Sequence, residues 1–289
     1  VSKPRFLNLP PAVRRTVIDT ARGRFAALEA LPVGVPERCP ALLVPGYTGS
    51  KEDFLGILQT LAGAGRRVVA IDLRGQYESD GPDSPESYTC AALGADVSSL
   101  LEALGPEPVH LVGHSFGGLV SREAVLADSA AVHSFTLMSS GPAAISGQSA
   151  LRAGALRDAL TQLTMEQIWD LSLGPEAHAA GIEHEIVAFL RERSVRNSVT
   201  GLIGMAGELI SCPDRVEELA KVADDADLPL MVLYGEDDDA WDPREQASMA
   251  ERLEADRVVI PGAAHSPAWE APETTAHALT DFWNTAERR

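Results

Sequence analysis

Short apolar runs alternate with helix-length segments along this chain, and that rhythm leaves few folds open. The runs are residues 24–31, 41–45, 67–72, 108–113, 134–138, 228–234 and 257–260. Between them one helical segment opens at Ser50, where the Ser50 and Asp53 side chains can satisfy free backbone N–H groups, and ends near Gly63 and Gly65. Others cover 88–104, 117–127, 243–254 and 272–286. Strand, helix and strand in repetition require crossover connections. These make the strands parallel and lay helices on both faces of one sheet, an α/β fold. Loops that carry chemistry then belong at the C-terminal ends of the strands.

The rhythm breaks once. From about residue 143 to 223 there are helical patterns and no clear strand: Leu156, Leu160 and Leu163 recur at helical spacing, as do Ile182, Ile186, Phe189 and Leu190. The expectation is one α/β core over 1–142 and 224–289, interrupted by an all-helical insertion over 143–223. A length of 289 residues suits one large domain carrying an insertion. Hydrophobic residues make up 45% and aromatic ones only 5%, so the core must be largely aliphatic.

Charge and cysteine usage narrow the function classes. Forty-two acids against 24 bases give a formal net charge of -18, a surface that repels phosphate backbones and anionic headgroups, so nucleic acid is not expected as a partner. Cys39, Cys90 and Cys212 are odd in number and lack the spacing of a metal knuckle or redox motif. They read as reduced thiols of a cytoplasmic protein. The first residues carry prolines and charges where an export signal needs an apolar run, and no stretch reaches membrane-spanning length, so membrane insertion is not expected. No His/Cys/Asp cluster has ligand spacing, so neither a metal nor another cofactor is expected.

The most informative turn is Gly113-His114-Ser115-Phe116-Gly117, with Gly118 next, between an expected strand and an expected helix. A serine on so tight a strand-to-helix turn projects its hydroxyl outward. The crowding demands small residues two before and two after it, and Gly113 and Gly117 meet that demand. The helix that follows aims its N-terminal dipole and free N–H groups at the same place. Ser115 is therefore the candidate nucleophile. His114, beside it in sequence, should point elsewhere and reads as structural.

Segments 45–54, 72–80, 113–118, 234–241 and 262–267, in that order, resemble the α/β-hydrolase fold family over nearly the whole chain. The resemblance implies a mostly parallel sheet with an inserted helical cap. It also implies a loop after the last strand that carries a catalytic imidazole, here His265. For His110, His133, His178, His184 and His277 a surface or satisfied-core role is the better reading. The family acid lies three residues after the glycine that ends the preceding strand, here Asp238 after Gly235. Asp237, Asp239, Asp242 and the weaker Glu236 remain alternatives, whereas the loop after 134–138 has no acid. An oxyanion hole would combine the backbone N–H of Phe116 with that of Tyr47, where Pro45 replaces the family's usual histidine. Asp72 and Arg74 read as loop scaffolding that pairs with backbone or with each other, and Gln76-Tyr77 replaces a usual His-Gly.

These features imply a serine hydrolase acting on a small or medium hydrophobic ester or acyl substrate. The expected pocket residues are Tyr47, Met165, Trp169, Met205 and Trp241. Leu163, Ile168 and Phe189 are further apolar residues that could line the pocket or form the insertion's own core. A serine at the turn argues against haloalkane dehalogenases and epoxide hydrolases of similar fold, which place aspartate there. Thioester or C–C bond hydrolysis, acyl transfer, cofactor-free perhydrolysis and a small-molecule receptor of the same fold are the alternatives. The oligomeric state is left open.

Overall fold

A computed structural model describes residues 3–35 and 37–288. Among them, eight strands form one sheet: β1 (Val13–Thr20), β2 (Gly23–Ala30), β3 (Arg38–Val44), β4 (Arg66–Ile71), β5 (Val109–His114), β6 (Val132–Met138), β7 (Leu230–Gly235) and β8 (Asp256–Ile260). The spatial order is β1-β2-β4-β3-β5-β6-β7-β8. β1, β2 and β4 pair antiparallel, and all pairings from β4 through β3 to β8 are parallel. The chain leaves β3 for β4 on one side and later enters β5 on the other. The crevice beyond the C-terminal ends of β3 and β5 is thus the topological switch point, where open α/β sheets place their ligands.

Helices α1 (Leu55–Gly63), α2 (Cys90–Leu104) and α3 (Phe116–Ala127) connect the first parallel strands. Alternation along each strand sends side chains to opposite faces. Leu42, Val44, Val69, Leu111, Phe135 and Val232 pack against α2 and α3, while Ala41, Leu43, Val68, Val112 and Leu233 pack on the opposite face. Both faces are buried, which is why these strands read as aliphatic runs. The helix expected from Ser50 opens as a 3-10 turn, Lys51–Phe54, and its Ser50 N–H donates to Asp53 Oδ2 at 3.2 Å.

No strand occurs between β6 and β7 among the described residues. That stretch holds α4 (Gly147–Ala159), α5 (Met165–Ile168), α6 (Gly174–Ala179), α7 (His184–Arg196), α8 (Val199–Leu209) and α9 (Val216–Ala226). Leu160, Met165, Ile168 and Leu202 form one small apolar cluster, and Trp169, Ile186, Phe189 and Leu190 form another with Tyr77. Met205 and Leu209 of α8 and Val216, Leu219 and Ala223 of α9 belong instead to the sheet's own core. A buried ion pair ties α7 to the turn after β3: Arg193 donates to Asp53 Oδ1 at 2.7 Å, and both side chains are shielded from solvent. The fold closes with α10 (Pro243–Arg252), α11 (Pro267–Glu270) and α12 (Pro272–Ala286), whose Leu279, Phe282 and Trp283 join the α1 side of the core.

Candidate active site

Ser115 stands between β5 and α3 at φ 55° and ψ -124°, a conformation costly for any residue with a Cβ. Its surroundings hold it there. A Cβ at Gly113 would lie 2.5 Å from the Gly117 carbonyl and the Gly118 Cα, and one at Gly117 would collide with the Val44 and Pro45 carbonyls. The Ser115 N–H donates to Met138 O at 2.9 Å, anchoring the turn to β6.

The structure brings three distant residues into line. Ser115 Oγ is 2.9 Å from His265 Nε2, and His265 Nδ1 is 2.9 Å from Asp238 Oδ1. Asp238 Oδ1 also accepts from the Ala240 N–H at 2.9 Å and the Trp241 N–H at 3.4 Å, while Oδ2 accepts from Gln246 Nε2 at 3.0 Å. Burial works to raise the Asp238 pKa, but the bond and charge of His265, with the Ala240 and Gln246 donors, outweigh it and hold the carboxyl below its ordinary value. The neighbouring acids are turned away. Glu236, Asp237 and Asp239 are exposed, and Asp242 caps α10 by accepting from the Arg244 N–H at 2.8 Å.

His265 is positioned from below and from both sides. His114 Nε2 donates to the His265 carbonyl at 2.8 Å, and Glu270 Oε2 accepts from the Ala264 and Ser266 N–H groups at 2.7 and 3.1 Å. Burial, then the neighbouring His265, pushes the His114 pKa down to about 4, so His114 is a neutral donor at pH 7. Gly235 ends β7 because a Cβ there would strike the Ala263 and Ala264 carbonyls of the His265 loop.

Across the switch point, the loop after β3 lies against Ser115: a Cβ on Gly46 would be 2.9 Å from the Ser115 Cβ. Gln76 Nε2 donates to the Gly46 carbonyl at 2.9 Å from a fully buried position. Neither the Tyr47 nor the Phe116 N–H meets a backbone or side-chain acceptor among the described residues. The Tyr47 ring packs on both the sheet core and the Leu160–Met165–Ile168–Leu202 cluster, and its hydroxyl is buried without a hydrogen-bond partner among the described residues. Ser115 itself is 7% exposed. Surface clefts of about 420 Å³ near Phe25 and Arg74 and about 610 Å³ near Ala91 and Leu126 lie elsewhere, lined by none of these residues.

Of the remaining expected pocket residues, Met165 lies in the cluster that touches Tyr47, and Leu163 packs against it. Met205 is buried in the sheet core with its Sδ 3.9 Å from Gln76 Nε2. Trp241 packs with its ring 6.1 Å from that of His265 and donates to the Ala143 carbonyl at 3.1 Å. Trp169, just past α5, and Phe189 sit with Tyr77 in the other cluster, apart from Tyr47, and the Phe189 ring meets that of Tyr77 edge-on at 5.7 Å. Asp72 and Arg74 scaffold loops but do not pair with each other. Asp72 takes Lys51 Nζ and the Lys51 N–H, each at 2.7 Å, and Arg74 reaches across to Asp96 at 2.5 and 2.6 Å. Gln76, Gln246 and Glu270 carry no sequence signal, since an amide or carboxylate becomes a positioning group only through what folding sets beside it.

A family model described as alpha/beta hydrolase fold matches residues 40–272. The chain belongs to the alpha/beta hydrolase fold family. Epoxide hydrolase 4 of Mus musculus is 47% identical over 55 residues, 19% of this chain and 15% of that protein. Epoxide hydrolase 3 of Siraitia grosvenorii is 43% identical over 80 residues, 28% of this chain and 25% of that protein. The matched stretches thus span about a quarter or less of these relatives' length. An esterase from Thermogutta terrifontis aligns with a TM-score of 0.73 at 22% identity, covering 94% of this chain and 99% of that one, a likeness of fold. No described helix is long and apolar enough to cross a membrane.

Proposed function

We propose that this protein is a serine hydrolase that cleaves carboxylic ester or related acyl bonds of small to medium hydrophobic substrates. The observation that carries the reading is the Asp238–His265–Ser115 relay, 2.9 Å at each link, built on a strained serine. In this mechanism His265 Nε2 takes the hydroxyl proton as Ser115 Oγ attacks the acyl carbon, and Asp238 holds Nδ1–H and offsets the imidazolium charge. The Phe116 and Tyr47 N–H groups receive the oxyanion. Collapse expels the alcohol, which takes its proton from His265. Water, deprotonated by His265, then releases the acid from the acyl-enzyme.

A serine at the turn is the reason for preferring acyl chemistry to the epoxide opening in the relatives' names. Residues 143–223 act in this reading as a cap over the core of 1–142 and 224–289. Tyr47 and Met165 offer the substrate an apolar wall. Three free cysteines suit a reducing, cytoplasmic setting.

The test is turnover of p-nitrophenyl esters of increasing acyl length by the protein and by Ser115→Ala. Activity lost in a variant that unfolds at the same temperature supports the mechanism, and activity retained sinks it. No turnover at any length removes the ester assignment and favours a narrow thioester or C–C substrate, or a ligand-binding role.

A further inference from the structure

The end of the sheet opposite Ser115 holds a second cluster of reactive side chains. β3, β5 and β6 are consecutive neighbours in the sheet, and each carries a metal-ligating residue at its second position: Cys39, His110 and His133. One ligand atom from each lies within 4.8 Å of the others. Regular pairing does not produce this grouping. The register shifts between Arg38 and Ala41 in β3, and between β5 and β6 Val109 faces Val132 while His110 faces Ser134, which makes His133 the extra residue of a bulge. Bulges re-aim side chains, and both irregularities fall on this trio.

The local bonding leaves the trio one open valence. His133 Nε2 is buried and has no hydrogen-bond partner among the described residues. Cys39 is a half-buried free thiol. His110 is held from both ends, Nδ1 2.8 Å from Ser134 Oγ and Nε2 3.2 Å from Glu287 Oε1, and its ring stacks 5.1 Å from that of Trp283. A metal on either nitrogen gives up one of these bonds and keeps the other as the outer-shell partner that metal-binding histidines retain.

We propose that Cys39, His110 and His133 bind a borderline-soft divalent metal ion, zinc in the first place, at the N-terminal edge of the sheet. One thiolate and two imidazoles are the donor set such an ion prefers over magnesium or calcium. Zinc with bonds of about 2.0 Å to nitrogen and 2.3 Å to sulfur sets its ligands about 3.3–3.6 Å apart, so side-chain rotations of about 1 Å close the site. Binding expels the Cys39 thiol proton to solvent, and water or the Glu287 carboxylate fills the fourth position. Because the ligands come from three adjacent strands and lie far from Ser115, the ion is a clamp on the sheet and takes no part in the reaction.

The experiment uses the full chain after chelator treatment. Zn(II) is titrated in competition with a chromophoric chelator, and Co(II) binding is followed by its thiolate charge-transfer absorption. One ion per chain is expected, with no thiolate band in Cys39→Ser. Zn(II) affinity should fall in Cys39→Ser and His133→Ala by more than the roughly 10–100-fold that loss of an outer partner costs. His110 is left intact because it lies under Trp283 in the core, and circular dichroism checks that both variants fold. Absence of a stoichiometric ion in the parent protein overturns the proposal, as does an ion held equally tightly by both variants. Since neither variant touches Ser115, Asp238 or His265, the result does not depend on the proposed acyl chemistry.

Discussion

Replacing Asp238 by asparagine tests the proposed relay more sharply than deleting it. Every partner of this carboxylate is a donor: His265 Nδ1 and two backbone N–H groups on Oδ1, Gln246 Nε2 on Oδ2. The asparagine has one acceptor oxygen to place. Turning its NH2 toward His265 would also face it to the Ala240 and Trp241 N–H groups, stranding two buried donors at about 1–3 kcal/mol each. Keeping its oxygen there costs less: Gln246 Oε1, buried without a partner among the described residues, can flip in to accept from the new NH2, at the loss of the single 3.2 Å bond from Gln246 Nε2 to the Trp241 carbonyl. The amide therefore preserves the His265 tautomer and loses only the charge. Exchanging a charge-assisted bond for a neutral one, about 1.5–3 kcal/mol, lowers kcat roughly 10- to 150-fold with KM unchanged. Asp238→Ala, which leaves the tautomer free, should fall roughly 10⁴-fold. Initial rates on one p-nitrophenyl ester separate the two, with Asp237→Asn and Asp239→Asn as controls expected to stay within about twofold. If Asp238→Asn were as inactive as Asp238→Ala, the amide orientation argued here would be wrong. If both stayed near parental activity, Asp238 would have no place in the mechanism.

Other consequences concern the groups around the relay. Gln76→Leu removes the donor on the Gly46 carbonyl and should lower kcat roughly tenfold with little change in KM, since it loosens one oxyanion N–H without deleting it; an unchanged kcat would show that the loop needs no such support. Tyr47→Phe removes a buried, unpaired hydroxyl and keeps the backbone N–H, so thermal stability should hold or rise and turnover of simple alkyl esters should stay within about threefold; a lowered melting temperature would reveal a missed partner. His114 resists protonation in the fold down to about pH 4, whereas the unfolded chain takes that proton near pH 6.5, so its contribution is intact at neutral pH and lost as pH falls between those values. That loss amounts to about 3 kcal/mol from a shift of this size, and urea unfolding of His114→Gln, which can keep a donor to the His265 carbonyl, should be less steep in pH over that window.

How much of this could be read beforehand depends on how locally each feature is encoded. Strands buried on both faces announce themselves as aliphatic runs, and β2 through β7 were legible for that reason, whereas β8, the other edge strand, is mostly exposed and was legible through the short run Val258-Val259-Ile260. β1 was not, because it is an edge strand paired only with β2: Val13 and Ile18 are buried, Val17 is 44% exposed, and the remaining positions are largely polar. Its alternation is too weak to stand out. The serine turn was legible because its steric demands fall within five consecutive residues. Among the run of acids Asp238 was preferred through the family resemblance with its neighbours left open, and what sets it apart in the structure is His265 together with the backbone donors two and three residues on and Gln246 eight residues on.

The two ends of β3, β5 and β6 show where such reading stops. At the C-terminal ends, sequence signals exist because a tight turn, a glycine-containing loop after β3 and a small-residue histidine loop each have local requirements. At the N-terminal ends nothing local distinguishes Cys39, His110 and His133, which are separated by 71 and 23 positions. Each alone is an ordinary strand residue, and their spacing in sequence matches no ligand motif. They meet because the strands are neighbours in the order β3-β5-β6 and because two register shifts turn the side chains to a common point. A shift of one residue in either strand would send Cys39 or His133 to the other face of the sheet. Ligand sets assembled by register are therefore visible only once the register is known, whereas sites assembled by turns can be sought in the sequence itself.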